Sequence, residues 1–309
     1  MTFDLRLDSR DPVFAGLFDS DRVPRVLHTG LVWAEGPAFV RATGTLYFSD
    51  VPSNTVYRWT KHGVEIARRP SEFANGHTLD ASGRLIACEQ RTRSVTRDEP
   101  DGTRTTLASH YDGRRLNSPN DVVTHSDGSV WFTDPDYGIR STDQGGVAPR
   151  EQGGCFVFRV SPDRTAVSLV ADDFDMPNGL AFSPDESILY VADSAFTEDP
   201  AAARHVRALE LRSDASVASS RVLFTIDAGW PDGLRVDRVG RIWCAAGDGV
   251  RCYSPDGVLL GVVRLPQAAA NLCFAEIGGG PVLVATATTS VYSVPLADDL
   301  SAFVGQSMG

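Results

Sequence analysis

Six polar residues that open six similar segments are the residues of this sequence best suited to chemistry. Each stands before an apolar run, and a turn, usually centred on Gly, then leads into a second apolar run. We call them the lead residues: Glu35, Asn75, Asn120, Asn178, Asp232 and Asn271. Every lead residue carries a side-chain oxygen and none is cationic, so the set suits a hard cation and makes a poor anion site.

The elements that must position these residues are predicted from the repeat. The lead residues are 39 to 58 residues apart, and most segments run on into a third strand-like run. Four-stranded propeller blades need ~40–45 residues each, so we predict an all-β, six-bladed β-propeller formed by one domain, residues 1–309. The two long intervals predict polar surface insertions at 139–152 and 196–205. The segment of about 1–30, through Val26 and Leu27, is predicted to supply the outer strand of the last blade and close the ring.

The predicted fold brings the lead residues together. The innermost strand of each propeller blade lines the central channel, so equivalent residues of six blades meet in a ring at one mouth. The carboxylates of Glu35 and Asp232 would balance a divalent charge, and amide oxygens and water would complete the coordination. Ca²⁺, Mg²⁺ and Mn²⁺ suit this donor set, and Zn²⁺ suits it less well without His or Cys ligands. We predict one divalent cation in the channel, with Ca²⁺ favoured.

Local turn chemistry offers a second interpretation of the lead residues. Asn, Asp and Gly favour turns, so an Asn-Gly or Asp-Gly pair can mark only the entry to a strand. For Asn75 and Asn271 we favour that interpretation. Glu is uncommon in turns, so Glu35 suggests a ligand, and Asn178 and Asp232 are assigned to the same ligand set because their places in the ring are comparable.

Composition and missing motifs narrow the class of function. A net charge of −11 argues against a nucleic-acid partner, and no stretch approaches the ~20 apolar residues that span a bilayer. Five cysteines without a Cys-x-x-Cys pair are typical of reduced core thiols, and no signal peptide is evident, so a cytoplasmic location is predicted. Serine-hydrolase, zincin and nucleotide-binding motifs are absent. His77 follows the second lead residue closely and could face the channel, where its imidazole could act as a base. A structural role is favoured for it. The oligomeric state stays open.

The chain resembles the senescence-marker-protein (regucalcin)/gluconolactonase-like family. The similar segments include EGPAF at Glu35, LNSPNDVVTHSDGSVWFTDPDYG around Asn120, MPNGLAFSPDESILYVAD around Asn178 and PDGLRVDRVGRIWCAAGDGV around Asp232. They extend from about residue 31 to 294. The resemblance implies a six-bladed propeller with a divalent metal in its channel. It also implies lactone hydrolysis, as in many members, or phosphotriester or phosphofluoridate hydrolysis, as in others.

The resemblance also carries roles to individual residues. The family's metal ligands match Glu35, Asn178 and Asp232, and its proposed general base matches Asp232 as well. Asn120 matches a position that contacts the metal or the substrate, depending on the member.

Two positions depart from the family pattern. Ser118 stands where some sugar lactonases carry an Arg, with Arg115 nearby in a different register. Cys273 stands where the phosphofluoridate-cleaving members carry a His, which makes phosphorus esters the less favoured substrates.

We therefore predict a divalent-metal-dependent hydrolase that opens a lactone, with a sugar lactone such as gluconolactone as the expected small-molecule substrate. The cation would polarise the ring carbonyl, and either Asp232 would accept the proton of the attacking water or the cation would activate that water directly. Asn120 is expected to bind substrate hydroxyls, with Arg115 and Tyr137 as walls of the pocket. An organophosphate hydrolase and a non-catalytic calcium-binding propeller are the alternatives, since fold alone does not exclude them.

Overall fold

A computed structural model describes residues 1–197, 199 and 201–297 of the chain. Positions 198 and 200 of the second predicted insertion, and residues 298–309 of the predicted domain, lie outside the described residues. The N-terminal segment contains β1 (Arg6–Ser9), α1 (Pro12–Ala15) and β2 (Arg25–Thr29). No helix in the described part of the chain is long and apolar enough to cross a membrane.

Six antiparallel blades follow in chain order, as the repeat predicts: four strands form each of blades 1 to 4, and N-terminal strands join blades 5 and 6. Blade 1 contains β3 (Ala34–Val40), β4 (Thr45–Asp50), β5 (Thr55–Thr60) and β6 (Gly63–Arg68). Blade 2 contains β7 (Ala74–Leu79), β8 (Leu85–Glu89), β9 (Ser94–Asp98) and β10 (Arg104–Ala108), and the hairpin β11 (His110–Tyr111) and β12 (Arg114–Arg115) follows it. Blade 3 contains β13 (Val122–Thr124), β14 (Val130–Asp134), α2 (Tyr137–Arg140), β15 (Cys155–Val160) and β16 (Val167–Phe174).

The last three blades repeat this order. Blade 4 contains β17 (Pro177–Phe182), β18 (Ile188–Asp193), a 3₁₀ turn (Ala195–Thr197), β19 (His205–Leu211) and β20 (Val217–Thr225). Blade 5 contains β21 (Leu234–Val236), β22 (Ile242–Ala246), β23 (Gly249–Tyr253) and β24 (Leu259–Arg264). Blade 6 contains β25 (Ala269–Glu276), β26 (Pro281–Ala287) and β27 (Ser290–Pro295). The protein is therefore a six-bladed β-propeller.

The N-terminal segment completes two blades. β2 pairs with β27, with Val26 opposite Tyr292, and is the outer strand of blade 6. β1 pairs with β24 and adds a fifth strand to blade 5, which the sequence pattern does not predict. Phe14 of α1 is fully buried against Trp243. Strands from both ends of the described chain therefore share one sheet, and this joins the N-terminal segment to the last blade of the ring.

Apolar side chains fill the spaces between neighbouring blades. Ile86 of blade 2 packs in one cluster with Phe132 and Phe158 of blade 3, and Val206 of blade 4 shares a cluster with Leu234 of blade 5. All five cysteines are buried free thiols within the sheets, as predicted for core residues. Burying each large apolar side chain is worth about 1.5–3 kcal/mol, so the blades are held side by side mainly by these clusters.

Strand direction decides which loops surround the lead residues. In an antiparallel blade the start of the first strand lies beside the end of the second, as Ala34 lies opposite Asp50 in blade 1. The connection from the second to the third strand therefore rises at the mouth where the lead residues lie. Both insertions belong to such connections, at 135–154 in blade 3 and 194–204 in blade 4, and begin a few residues earlier than predicted.

The blade 3 insertion is fastened to blade 2 and its hairpin. The Glu151 carboxylate accepts hydrogen bonds from Arg93 at 3.2 Å and from the Arg115 backbone N–H at 2.9 Å. The Gln152 amide donates to the carbonyl of Arg114 at 3.0 Å. These contacts make the insertion a fixed wall at one side of the mouth.

Candidate active site

All six lead residues are buried around the channel, with 2–7% of their surface exposed. Four of them lie inside the first strand of their blade. Asn120 and Asp232 lie two residues before β13 and β21. Asn75 is the second residue of β7 and Asn271 is the third residue of β25, so both lie near the start of a strand and neither lies in a turn.

Each lead residue stands at a β-bulge. The pairing register shifts between Glu35 and Ala38, and equivalent shifts occur at the lead positions of blades 2, 4 and 6. In blade 3 the Asn120 N–H donates to Thr133 O at 2.9 Å, and the Thr133 N–H donates to Asp121 O at 3.1 Å, so two residues oppose one. Blade 5 repeats this arrangement at Asp232. A bulge interrupts the regular alternation of side chains and re-aims one of them, here at the channel.

The glycine after a lead residue allows neighbouring blades to touch. A Cβ on Gly179 would lie 2.3 Å from the carbonyl oxygen of Asp232, and a Cβ on Gly36 would lie 2.0 Å from that of Asn75. A Cβ on Gly233 would meet the side-chain amide of Asn271 and would lie 2.7 Å from its Cα. Inner strands this close together leave no room for a side chain between them. These glycines therefore let neighbouring blades approach and bring the lead residues closer together.

Carboxylates at the ends of second strands anchor the segments that lead into the ring. Three backbone N–H groups donate to them: Trp33 to Asp50 (3.0 Å), Asn117 to Asp134 (2.7 Å) and Met176 to Asp193 (2.9 Å). Each donor lies two or three residues before a lead residue. The backbone entering Glu35, Asn120 and Asn178 is therefore fixed before the side chains meet.

The two acidic lead residues share one buried, negatively charged environment. Burial is the largest effect on both: it raises the pKa of Glu35 to about 7 and, with the charge of Glu35, raises the pKa of Asp232 well above its usual range. Asp121 adds further negative charge to each. Hydrogen bonds from Asn271 to Glu35 and from Asn178 to Asp232 oppose the shift. These hydrogen bonds join lead residues of blades 1 and 6 and of blades 4 and 5, and the charges of Glu35 and Asp232 couple the two pairs.

This donor set fits a divalent cation held by oxygen atoms. Two buried carboxylates repel each other without a cation between them, and the buried Oδ1 of Asn75 has no hydrogen-bond partner. Within the described residues, no three His, Cys, Asp or Glu side chains are arranged to hold an ion by themselves. A cation at this ring would therefore need amide oxygens beside Glu35 and Asp232, which is chemistry that Ca²⁺ and Mg²⁺ accept.

Without a cation, the buried Glu35 should make stability depend on pH. Its folded-state pKa of about 7 exceeds the ordinary value of 4.5, so the folded protein keeps a proton that the unfolded chain has lost between these values. Stability from this group is then full below about pH 4.5 and is lost as the pH rises towards about 7. We expect the melting temperature in EDTA to fall, relative to Glu35→Gln, by roughly 5 °C between pH 5 and pH 8. A wild-type curve parallel to that of the variant would contradict this.

Asp121 and Arg235 form a charged layer behind the lead residues, which the sequence reasoning missed. Asp121 is completely buried, and its Oδ2 lies 3.4 Å from Arg235 Nη1 and 3.5 Å from Asn271 Nδ2. Burial raises the pKa of Asp121, and the positive charge of Arg235 opposes that rise. The available signal was Asp121 itself, which stands where four other repeats carry Gly.

Two half-buried tryptophans, also missed, contact the acidic lead residues. Trp33 Nε1 donates to Glu35 Oε1 at 3.2 Å, and Trp230 Nε1 donates to Asp232 Oδ2 at 3.3 Å. The sequence signal was a shared pattern, Trp-x-acid-Gly, in blades 1 and 5.

The remaining candidates occupy different environments. The Arg115 guanidinium donates to Thr92 O at 2.8 Å, and the Tyr137 hydroxyl lies 3.4 Å from Ser194 O, where it links the two insertions. Arg115 and Tyr137 therefore support the rim, and contact with substrate stays a prediction for both. Asn120 lies in the ring itself.

His77 and the two departures from the family pattern are buried. His77 Nδ1 lies 2.9 Å from Gly36 O, and burial lowers its pKa to about 4, so the ring is neutral. Ser118 Oγ donates to Pro135 O at 2.7 Å. Cys273 packs in the core beside Phe48, where burial raises its pKa to about 12 and makes the thiol unreactive.

Known proteins are similar to this chain in fold and in sequence. The family model for the SMP-30/Gluconolactonase/LRE-like region matches residues 33–288. The chain belongs to this family. A gluconolactonase of Zymomonas mobilis is 32% identical over 292 residues, which cover 86% of this chain and 80% of that protein. A pentonolactonase of Haloferax volcanii is 30% identical over 269 residues, covering 84% and 82%. The solved structure of a gluconolactonase from Xanthomonas campestris matches with a TM-score of 0.88 and 35% identity, over 96% of this chain and 97% of that chain.

Proposed function

We propose that this SMP-30/gluconolactonase family member hydrolyses a sugar lactone with the help of one divalent cation. The observation that carries the proposal is the burial of Glu35 and Asp232 in one ring with amide oxygens, since two uncompensated carboxylates there are unfavourable. The lactones named for the relatives from Zymomonas and Haloferax support the substrate class. Ca²⁺ is the favoured ion because every donor is oxygen.

Glu35, Asn178 and Asp232 would hold the cation, and when bound it would supply a Lewis acid that polarises the lactone carbonyl. Trp230 donates a hydrogen bond to Oδ2 of Asp232 at 3.3 Å and so orients the carboxylate. Asp232 would accept a proton from water as the water adds to the carbonyl carbon. The ring C–O bond then breaks, and the proton passes to the departing oxygen to give a hydroxy acid. Burial and the charge of Glu35 raise the pKa of Asp232, whereas a bound cation would lower it.

Asn120 completes the proposed site from blade 3. Its amide can both donate to and accept from a sugar hydroxyl, which suits a substrate whose ring carries several such groups. The fastened insertions beside Asn120 would limit the access of bulk water to one side of the mouth. A cytoplasmic location stays a prediction.

The test compares hydrolysis of a sugar δ-lactone, a sugar γ-lactone and an aryl phosphotriester by the EDTA-treated protein, before and after addition of Ca²⁺, Mg²⁺, Mn²⁺ or Zn²⁺. We expect cation-dependent opening of one lactone and negligible phosphotriester cleavage. Faster cleavage of the phosphotriester would favour the organophosphate alternative. A large cation-induced rise in melting temperature with no turnover of any substrate would instead indicate a non-catalytic, cation-binding propeller.

A further inference from the structure

Tryptophan accompanies only the acidic members of the ring. Trp33 and Trp230 each lie two residues before a carboxylate lead residue and donate to it through the indole N–H. The four amide lead residues have other residues at that place: Phe73, Ser118, Met176 and Ala269. The pairing of one residue type with one chemistry, in blades that are not sequence neighbours, indicates a role tied to the carboxylates.

The indole N–H suits that role because it is an uncharged donor. A Lys or Arg in its place would compete with a cation for the carboxylate, whereas the indole fixes one oxygen and leaves the charge intact. Groups that hydrogen-bond to metal ligands in this way orient them, and losing one commonly weakens metal binding 10–100-fold.

The indoles of Trp33 and Trp230 lie at the mouth of the channel rather than in the core. Trp131 and Trp243 are completely buried between blades, whereas Trp33 and Trp230 are half-buried. The Trp33 backbone is fixed at both ends, since its N–H donates to Asp50 at 3.0 Å and its carbonyl accepts from Val51 at 3.2 Å.

The second-to-third-strand connections at the mouth of the channel differ in length between blades. The second-to-third-strand connections of blades 5, 6 and 1 are only 247–248, 288–289 and 51–54, whereas those of blades 3 and 4 carry the insertions. Trp33 therefore lies across the mouth from the insertions of blades 3 and 4, and Trp230 lies beside the insertion of blade 4. Aromatic walls facing a few polar groups are typical of small-molecule sites.

We propose that Trp33 and Trp230 are paired residues with two tasks: their N–H groups position Glu35 and Asp232 for the cation, and their exposed ring surfaces pack against the C–H face of the lactone. This inference rests on the proposed function, and it names residues that set both cation affinity and substrate fit.

Two substitutions at each tryptophan separate the tasks. Trp→Phe removes the N–H donor and keeps an aromatic surface, whereas Trp→Leu removes both. We expect both Trp33→Phe and Trp33→Leu to raise the cation Kd about 10–100-fold in calorimetric titration with Ca²⁺ and with Mn²⁺. At saturating cation, KM for the lactone should stay near wild type in Trp33→Phe and rise about tenfold in Trp33→Leu. Trp230→Phe and Trp230→Leu should behave in the same way.

Trp59→Phe is the matched control, because Trp59 is a half-buried residue of β5 that packs beside the core of blade 1. It should change neither the cation Kd nor KM. Trp33→Phe and Trp230→Phe variants with a wild-type cation Kd and only a lower melting temperature would overturn the positioning task. Equal KM values for the Phe and Leu variants would overturn the packing task.

Failure of the proposed function is distinguishable from failure of this inference. Calorimetric Kd values can be measured without turnover. A wild-type protein that binds the cation but opens no lactone would refute both the proposed substrate and the packing task. The cation Kd values of the variants would still test the positioning task. A wild-type protein that binds none of the four divalent cations would overturn both.

Discussion

Asp232→Asn is expected to lower kcat/KM for the preferred lactone by about a thousandfold or more. The substitution removes the proposed general base, which alone is worth about 10²–10⁴ in rate, and exchanges a charged ligand for a neutral one. The fold should survive, because Asn is isosteric and its amide oxygen can still accept the Trp230 N–H bond at 3.3 Å. In EDTA the variant should melt at or above the wild-type temperature, since it no longer places a buried carboxylate beside Glu35.

Steady-state kinetics, cation Kd and melting temperature should be measured together on this variant. Asp256→Asn is the matched control: Asp256 is an exposed carboxylate of the same blade, in the β23–β24 connection at the opposite face. It should leave all three measurements unchanged. Asp232→Asn with full cation binding and a wild-type rate would show that Asp232 takes no part in the reaction.

Gly179→Ala is expected to lower the free energy of unfolding by about 3 kcal/mol or more. Its Cβ would lie 2.3 Å from Asp232 O, 2.6 Å from Gly233 Cα and 2.7 Å from Leu234 N. All three atoms belong to the backbone of blade 5, so no side chain can move aside, and overpacking of this kind costs about 1–3 kcal/mol or more. Relief requires blades 4 and 5 to separate. We therefore expect the cation Kd to rise as well, because Asn178 and Asp232 are the residues that move apart.

Urea unfolding and calorimetric cation titration measure the two effects. Gly153→Ala provides the matched control, since its Cβ would meet only Phe156 Cζ at 3.9 Å, an ordinary contact. The control should change the free energy of unfolding by less than about 1 kcal/mol. A Gly179→Ala protein as stable as the control would mean that the two inner strands are not in the close contact described here.

Most of the fold could be predicted from the sequence repeat. Alternating apolar runs and their spacing are local properties of the chain, so the strands of each blade, the number of blades and the closing strand around Val26 follow from them. The lead residues follow for the same reason, because equivalent positions of a repeat become equivalent positions in a ring. Glu35 could be singled out since Glu has no turn chemistry of its own.

The contacts between blades could not be predicted in this way. The Asn-Gly pair at Asn75 looked like a turn, yet it lies inside a strand, and its Gly leaves room for the backbone of blade 3. The sequence also did not show that the Arg115 guanidinium donates to Thr92 O at 2.8 Å in the rim, and its predicted contact with substrate stays a prediction.

By itself the sequence determined the propeller and its ring of oxygen-bearing residues, and it predicted a hard cation there. Only the tertiary structure decided that bulges aim those residues at the channel, that glycines bring the blades into backbone contact, and that Trp33, Trp230 and Asp121 belong to the site. The reason is physical: alternation and repeat length report short-range regularities of the chain. Bulges and close contacts between blades depend instead on how residues tens of positions apart pack, and no local pattern records that.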